Sequence, residues 1–222
     1  MGKSNVFDLL GPIMVGPSSS HTAGAVRLGM MARKILVEEP VEGTIVLHGS
    51  FAKTGKGHGT NLALVAGLLG MSPDDERIPD AQKIAQELGK NFRLEAGDLG
   101  DVHPNSVKFD LLAKNEKHVQ VIGSSVGGGT IVIHEINGFE VDIKGDYPTL
   151  VILHHDLPGV VAQVALVLTT AEINIARMLV SREKKGAQAL MVLETDDLII
   201  ESVLDLLRNL PRVYQALAIE PL

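Results

Sequence analysis

The stretch that most limits what this chain can become is its last third, residues 149–222. Apolar spacing predicts a strand over 149–154 and a helix over 159–169. Two strands follow, over 174–182 and 187–195, with Gly186 turning the hairpin between them. A helix over 199–209 and a strand over 213–218 close the pattern. This βαββαβ order is the ferredoxin-like arrangement, an open-faced sheet with its helices on one side. Such a sheet needs its second face covered, so pairing with a second copy or another domain is expected.

Gly145-Asp146-Tyr147-Pro148 marks a boundary, and a chain of 222 residues is long enough for two domains. The expected division is 1–147 and 148–222. In the first part a helical pattern covers 23–37, with Leu28, Met31, Ala32, Ile35 and Leu36 on one face. Arg27, Arg33 and Lys34 fall outside that stripe. A strand over 44–49, an apolar helix over 61–69 and a polar helix over 80–88 come next. From Val107 the texture changes to strands, over 107–112, 118–122, 130–135 and 139–143. Asn137-Gly138 signals a tight hairpin between the last two. Gly127-Gly128-Gly129 fits either a bend or a place where a ligand or another backbone approaches closely. The fold class is therefore α+β, an N-terminal α/β domain followed by a ferredoxin-like domain.

Aromatic residues make up only 3% of the chain, so its core must be aliphatic. The formal charge is −7, and both parts are mildly acidic. That excludes a basic face for nucleic acid and argues against an anionic membrane surface. No apolar run reaches the roughly 18–20 residues that a spanning helix needs. The first ten residues lack a signal-peptide pattern, and a cytoplasmic location is expected. Cysteine is absent, which rules out disulfides and thiolate metal ligands within this chain.

Three segments carry candidate chemistry. Ser18-Ser19-Ser20-His21-Thr22 stands at a helix start, where backbone N–H groups are unpaired and the dipole favours anions. One hydroxyl is enough for a cap; four hydroxyls and an imidazole point to a carboxylate or phosphate site. Gly57-His58-Gly59-Thr60 repeats the context before the second apolar helix, and its glycines let backbone approach a ligand. His21 and His58 could act as acid or base near neutral pH. The two loops converge if the two helices pack side by side with the same sense. His103-Pro104-Asn105-Ser106 could add a third histidine. His48, His118 and His134 are read as sheet residues without chemistry. The candidate histidines are too far apart in sequence to form a recognised metal motif, so no metal site is expected. In the C-terminal part, the strand-to-helix connection His154-His155-Asp156-Leu157-Pro158-Gly159 could hold a carboxylate at the helix start.

The order Gly16–Thr22, then Thr54–Thr60, His103–Asn105 and Gly127–Gly129 resembles the N-terminal part of iron–sulfur L-serine dehydratases. Residues 149–222 resemble an ACT domain, a small-molecule-sensing module. The combination is similar to the separate β chain of the two-subunit form. The resemblance implies conversion of L-serine to pyruvate and ammonia, with a [4Fe–4S] cluster on a separate α chain. It implies that Ser18, Ser19, Ser20 and Thr22, with Gly59 and Thr60, hold the substrate. His58 or His21 becomes a candidate base, with His103 a third candidate. An isolated chain is expected to be inactive. The first domain also resembles the allosteric substrate-binding domain of some D-3-phosphoglycerate dehydrogenases. The alternative is therefore a purely regulatory serine-binding and pairing module. The ACT resemblance suggests His155, Asp156, Gly159 and Asn174 as ligand residues, or a role only in pairing subunits.

Overall fold

The computed structural model describes residues 14–16, 18–55, 57 and 59–222. Compact packing divides the chain into 1–137 and 138–222. No helix among the described residues is long and apolar enough to cross a membrane.

The first sheet has the order β2-β1-β3-β4-β5-β6. Its strands are β1 (Pro40–Leu47), β2 (Asn91–Ala96), β3 (Ser106–Ala113), β4 (His118–Gly127), β5 (Thr130–Ile136) and β6 (Phe139–Ile143). β1 and β2 are parallel, while β1–β3, β3–β4 and β4–β5 are antiparallel. The helical crossover between β1 and β2 contains α2 (Gly49–Thr54), α3 (Thr60–Leu68) and α4 (Ala81–Glu87). Strand β2 was not expected. Of its residues only Phe92 is buried, so this edge strand carries almost no apolar alternation.

Helix α1 (Gly24–Leu36) lays its stripe on the sheet, and Leu28, Met31, Ala32, Ile35 and Leu36 are all buried. The facing side chains are aliphatic apart from Phe109: Ile45, Leu111, Val121, Ile131 and Ile133. Each buried side chain of this size contributes about 1.5–3 kcal/mol. Arg33 lies off the stripe, as expected, and donates to the Leu68 carbonyl at 3.0 Å and to Glu39 at 2.8 Å. α1 and α3 touch through backbone: a Cβ on Gly67 would lie 2.1 Å from the Val26 carbonyl oxygen. They run with the same sense, because Thr22 and Gly59 line one cavity at one end and Arg33 reaches Leu68 at the other.

The second unit contains β7 (Thr149–His155), α5 (Val160–Thr170), β8 (Ile175–Arg182), β9 (Gln188–Thr195), α6 (Glu201–Arg208) and β10 (Val213–Ile219). The sheet order β10-β7-β9-β8 is the ferredoxin-like order expected from the sequence. Leu150, Ile152, Met191 and Leu193 pack against Val164, Leu168, Val203, Leu204 and Leu207. The opposite face is not bare: Val151, Leu190, Val192 and Leu217 are each at most 8% exposed. Strand β6 lies against β8 and β9, and Ser181 donates to the Glu140 carbonyl while Arg177 pairs with Asp142. The covering expected for the open face is therefore partly supplied by this unit itself.

Candidate active site

Ser18 is extended and precedes a π-helical turn, Ser19–Ala23, that runs into α1. The wide turn has Gly24 N–H donating to the Ser19 carbonyl, five residues back. Turns of this kind are frequent at functional sites. Ser18 Oγ accepts the His21 backbone N–H at 3.2 Å. The His21 ring stands between two hydroxyls, with Nδ1 3.3 Å from Ser18 Oγ and Nε2 3.2 Å from Ser50 Oγ. The ring also meets fully buried Phe51 edge-on, with centroids 5.4 Å apart. Ser19 and Ser20 are half-buried in the turn and Thr22 is buried.

Ser50 did not stand out in the sequence, because an expected strand over 44–49 hid the short helix that follows. β1 stops at Leu47, and Gly49, with φ of 54°, opens α2. Ser50 N–H donates to the Pro104 carbonyl at 2.7 Å, which ties His21 to the His103-Pro104-Asn105 segment.

His58 lies outside the described residues. Its neighbour Gly59 is left-handed, with φ of 71°, and leads into α3 at fully buried Thr60. Gly16 and Thr22 from the first motif and Gly57 and Gly59 from the second share a cavity of about 230 Å³, walled by Leu62 and Ile78. The two motifs therefore meet, as the same-sense packing of α1 and α3 requires.

Four buried polar atoms in these segments have no hydrogen-bond partner among the described residues: Thr22 Oγ1, Thr60 Oγ1, Asn61 Oδ1 and Ser125 Oγ. Each such group costs about 1–3 kcal/mol, and native proteins carry few of them. Three of the four, on Thr22, Thr60 and Asn61, belong to the helix starts that carry the two motifs. Ser125 sits against α1, since a Cβ on Gly24 would come within 2.0 Å of its Oγ.

His103 Nδ1 accepts the Asn105 N–H at 3.1 Å. With Nδ1 so occupied, a neutral ring carries its proton on Nε2 and presents a donor there. That geometry suits orienting a substrate better than removing a proton. Asn105 exchanges hydrogen bonds with Ser125, its carbonyl accepting at 3.0 Å and its amide donating at 3.4 Å. Gly127, Gly128 and Gly129 have φ of 118°, 60° and 82° and form the β4–β5 turn. Open space surrounds the Cβ positions of Gly127 and Gly128, so backbone conformation accounts for these two glycines. Arg27 donates to the Gly129 carbonyl at 3.3 Å, linking that turn to α1.

In the second unit, His155 Nε2 donates to the Gly186 carbonyl at 3.0 Å and its ring stacks on Tyr214. Asp156 accepts the Gly186 N–H at 3.1 Å and pairs with Arg182 at 3.3 Å. The Gly186 N–H, helped by Arg182, holds the Asp156 carboxyl below its ordinary value. Gly159, with φ of 95°, turns the chain into α5 at the same end. Asn174 does not join them. It precedes Ile175, which pairs with Thr195, whereas His155 pairs with Gln188 at the other end of β9. Its amide donates to Asp196 at 2.7 Å.

Residues 5–100 match the family described as the serine dehydratase beta chain, and residues 148–212 match the ACT domain. The chain is 43% identical over 211 residues to the probable L-serine dehydratase, beta chain, of Bacillus subtilis, covering 95% of this chain and 96% of that one. The chain belongs to the L-serine dehydratase β-chain family. A second β-chain relative, from Peptoniphilus asaccharolyticus, is 39% identical over 217 residues, covering 97% and 98% of the two chains. L-serine dehydratase 2 of Escherichia coli is 30% identical over 155 residues, which is 59% of this β chain but 34% of that protein. The Ser18–Thr22 and Gly57–Thr60 motifs thus lie within the stretch that matches the β-chain family, while His103–Asn105 and Ser125 lie beyond it.

Proposed function

We propose that this chain is the β subunit of an iron–sulfur L-serine dehydratase, converting L-serine to pyruvate and ammonia in the cytoplasm together with an α chain. A [4Fe–4S] cluster is held by cysteine thiolates, and this chain has no cysteine. Among the described residues no group of three His, Asp or Glu side chains could hold a metal either. The cluster does not fit here and is assigned to the α chain. The match to β-chain relatives over 96% and 98% of their own length supports that division.

The observation that carries the reading is His21 held between Ser18 and Ser50, beside a set of buried polar atoms without partners. A carboxylate entering here would accept hydrogen bonds from Ser18, Ser19, Ser20 and Thr22, with Gly59 and Thr60 at the start of the neighbouring helix. Restoring those bonds would recover part of the cost of burying the hydroxyls. His21 or His58 takes the α proton, and Ser18 and Ser50 set the orientation of the His21 ring. His103 orients the substrate through its Nε2–H. The group that accepts the departing hydroxyl lies outside this chain. The ACT unit senses a small molecule or pairs subunits, and self-pairing would use its edge strands β8 and β10.

The test is reconstitution. The β chain alone should not turn over L-serine, and activity should appear on anaerobic mixing with the cluster-bearing α chain. Turnover by the isolated chain would overturn the subunit reading. In the complex, His58→Ala and His21→Ala should each lower kcat/KM with assembly unchanged. A change in serine cooperativity alone would instead favour the regulatory module.

A further inference from the structure

His134 lies on β5, away from every sequence motif. The β4–β5 register pairs Ile122 with Glu135 and then Gly123 with Ile133, so His134 is the extra residue of a β-bulge. Bulges re-aim side chains and are enriched beside active sites. Here the imidazole reaches back to Ser124, with Nε2 2.8 Å from Ser124 Oγ. Ser124 and Ser106 are directly opposed on β4 and β3, both fully buried, with their hydroxyls 2.6 Å apart. Ser106 Oγ in turn lies 2.5 Å from the His103 carbonyl oxygen.

The direction of this chain follows from counting protons. A carbonyl can only accept, so Ser106 donates its single proton to His103. Ser106 can then only accept from Ser124, and Ser124 only from His134. The ring must therefore carry a proton on Nε2, whatever its Nδ1 contacts. We infer that His134 is a positioning residue that, through Ser124 and Ser106, fixes the His103-Pro104-Asn105 segment of the site. That segment holds Ser50 through the Pro104 carbonyl and Ser125 through Asn105. A shift at His103 is thus passed to the hydroxyl that faces His21. The functional consequence rests on the dehydratase reading above; the hydrogen-bond direction does not.

Two measurements test this. In the 15N-labelled chain, NMR should show His134 protonated at Nε2, with that proton protected from exchange and exposed by Ser124→Ala. A neutral His134 carrying its proton only on Nδ1 would overturn the relay, and this readout needs no turnover. In the active complex, His134→Leu should lower kcat/KM by about 10- to 100-fold, the scale of a small misplacement at a site. His134→Gln, which can offer an N–H in a similar position, should restore most of it. Ser124→Ala, which removes no bulk at the bulge, should lower kcat/KM similarly, and combining it with His134→Leu should add little. Additive losses, or a Gln variant as poor as Leu, would overturn the positioning role.

Discussion

Replacing Gly67 by alanine sets two physical effects of opposite sign against each other. Alanine is the better helix former, and inside a helix the exchange alone would stabilise by up to about 1 kcal/mol. The tertiary contact opposes it. The added Cβ would lie 2.1 Å from the Val26 carbonyl oxygen, 2.8 Å from the Met30 nitrogen and 2.9 Å from Gly29 Cα. These neighbours are all backbone, so no side chain can swing away. Relieving the carbonyl contact requires α1 and α3 to separate by roughly 1 Å, and overpacking of this kind costs about 1–3 kcal/mol. A 2.1 Å contact with immovable backbone puts the clash at the upper end of that range, so the expected net change in urea unfolding is a loss of about 2 kcal/mol after the propensity gain is subtracted. Because the Ser18–Thr22 and Gly57–Thr60 segments ride on the starts of these helices, kcat/KM of the reconstituted complex should also fall, by up to about 100-fold. A Gly67→Ala chain as stable as wild type, or more stable, would refute the close-contact argument.

Other outcomes follow from the same geometry. Thr22→Val removes a buried hydroxyl that has no partner among the described residues; stability should hold or rise by about 1 kcal/mol while serine turnover falls. A loss of stability in urea unfolding would show that the hydroxyl is satisfied in the free chain. Ser50→Ala should leave subunit assembly intact in sedimentation yet lower kcat/KM, because it removes one of the two hydroxyls at His21. Asp75 is held down to about 2 by Arg77, which binds both of its carboxylate oxygens. Its folded pKa lies below the ordinary value of about 3.9, so its contribution is present above pH 4 and lost as pH falls toward 2. Because Arg77 is exposed to solvent, the pair is worth less than about 1 kcal/mol, and an Asp75→Asn difference that persists at pH 2 would contradict the pairing.

The amino-acid sequence by itself determined the βαββαβ order of the second unit, the apolar stripe of α1 and the hydroxyl- and glycine-rich segments. These features are local: period, turn chemistry and caps are set by residues a few positions apart. The missing cysteines are equally plain in the sequence, and they leave no thiolate in it to ligate a cluster. Tertiary structure decided which residues meet. Ser50 reaches His21 from 29 positions away. Ser124 meets Ser106 across 18 positions, and only strand pairing makes them neighbours. His134 lies in an ordinary strand pattern, and a one-residue bulge turns its ring toward Ser124. Asn174, grouped with His155 by the ACT resemblance, is carried to the far end of β9 by antiparallel register. Pairing and register are properties of the whole sheet, and no local window of sequence contains them.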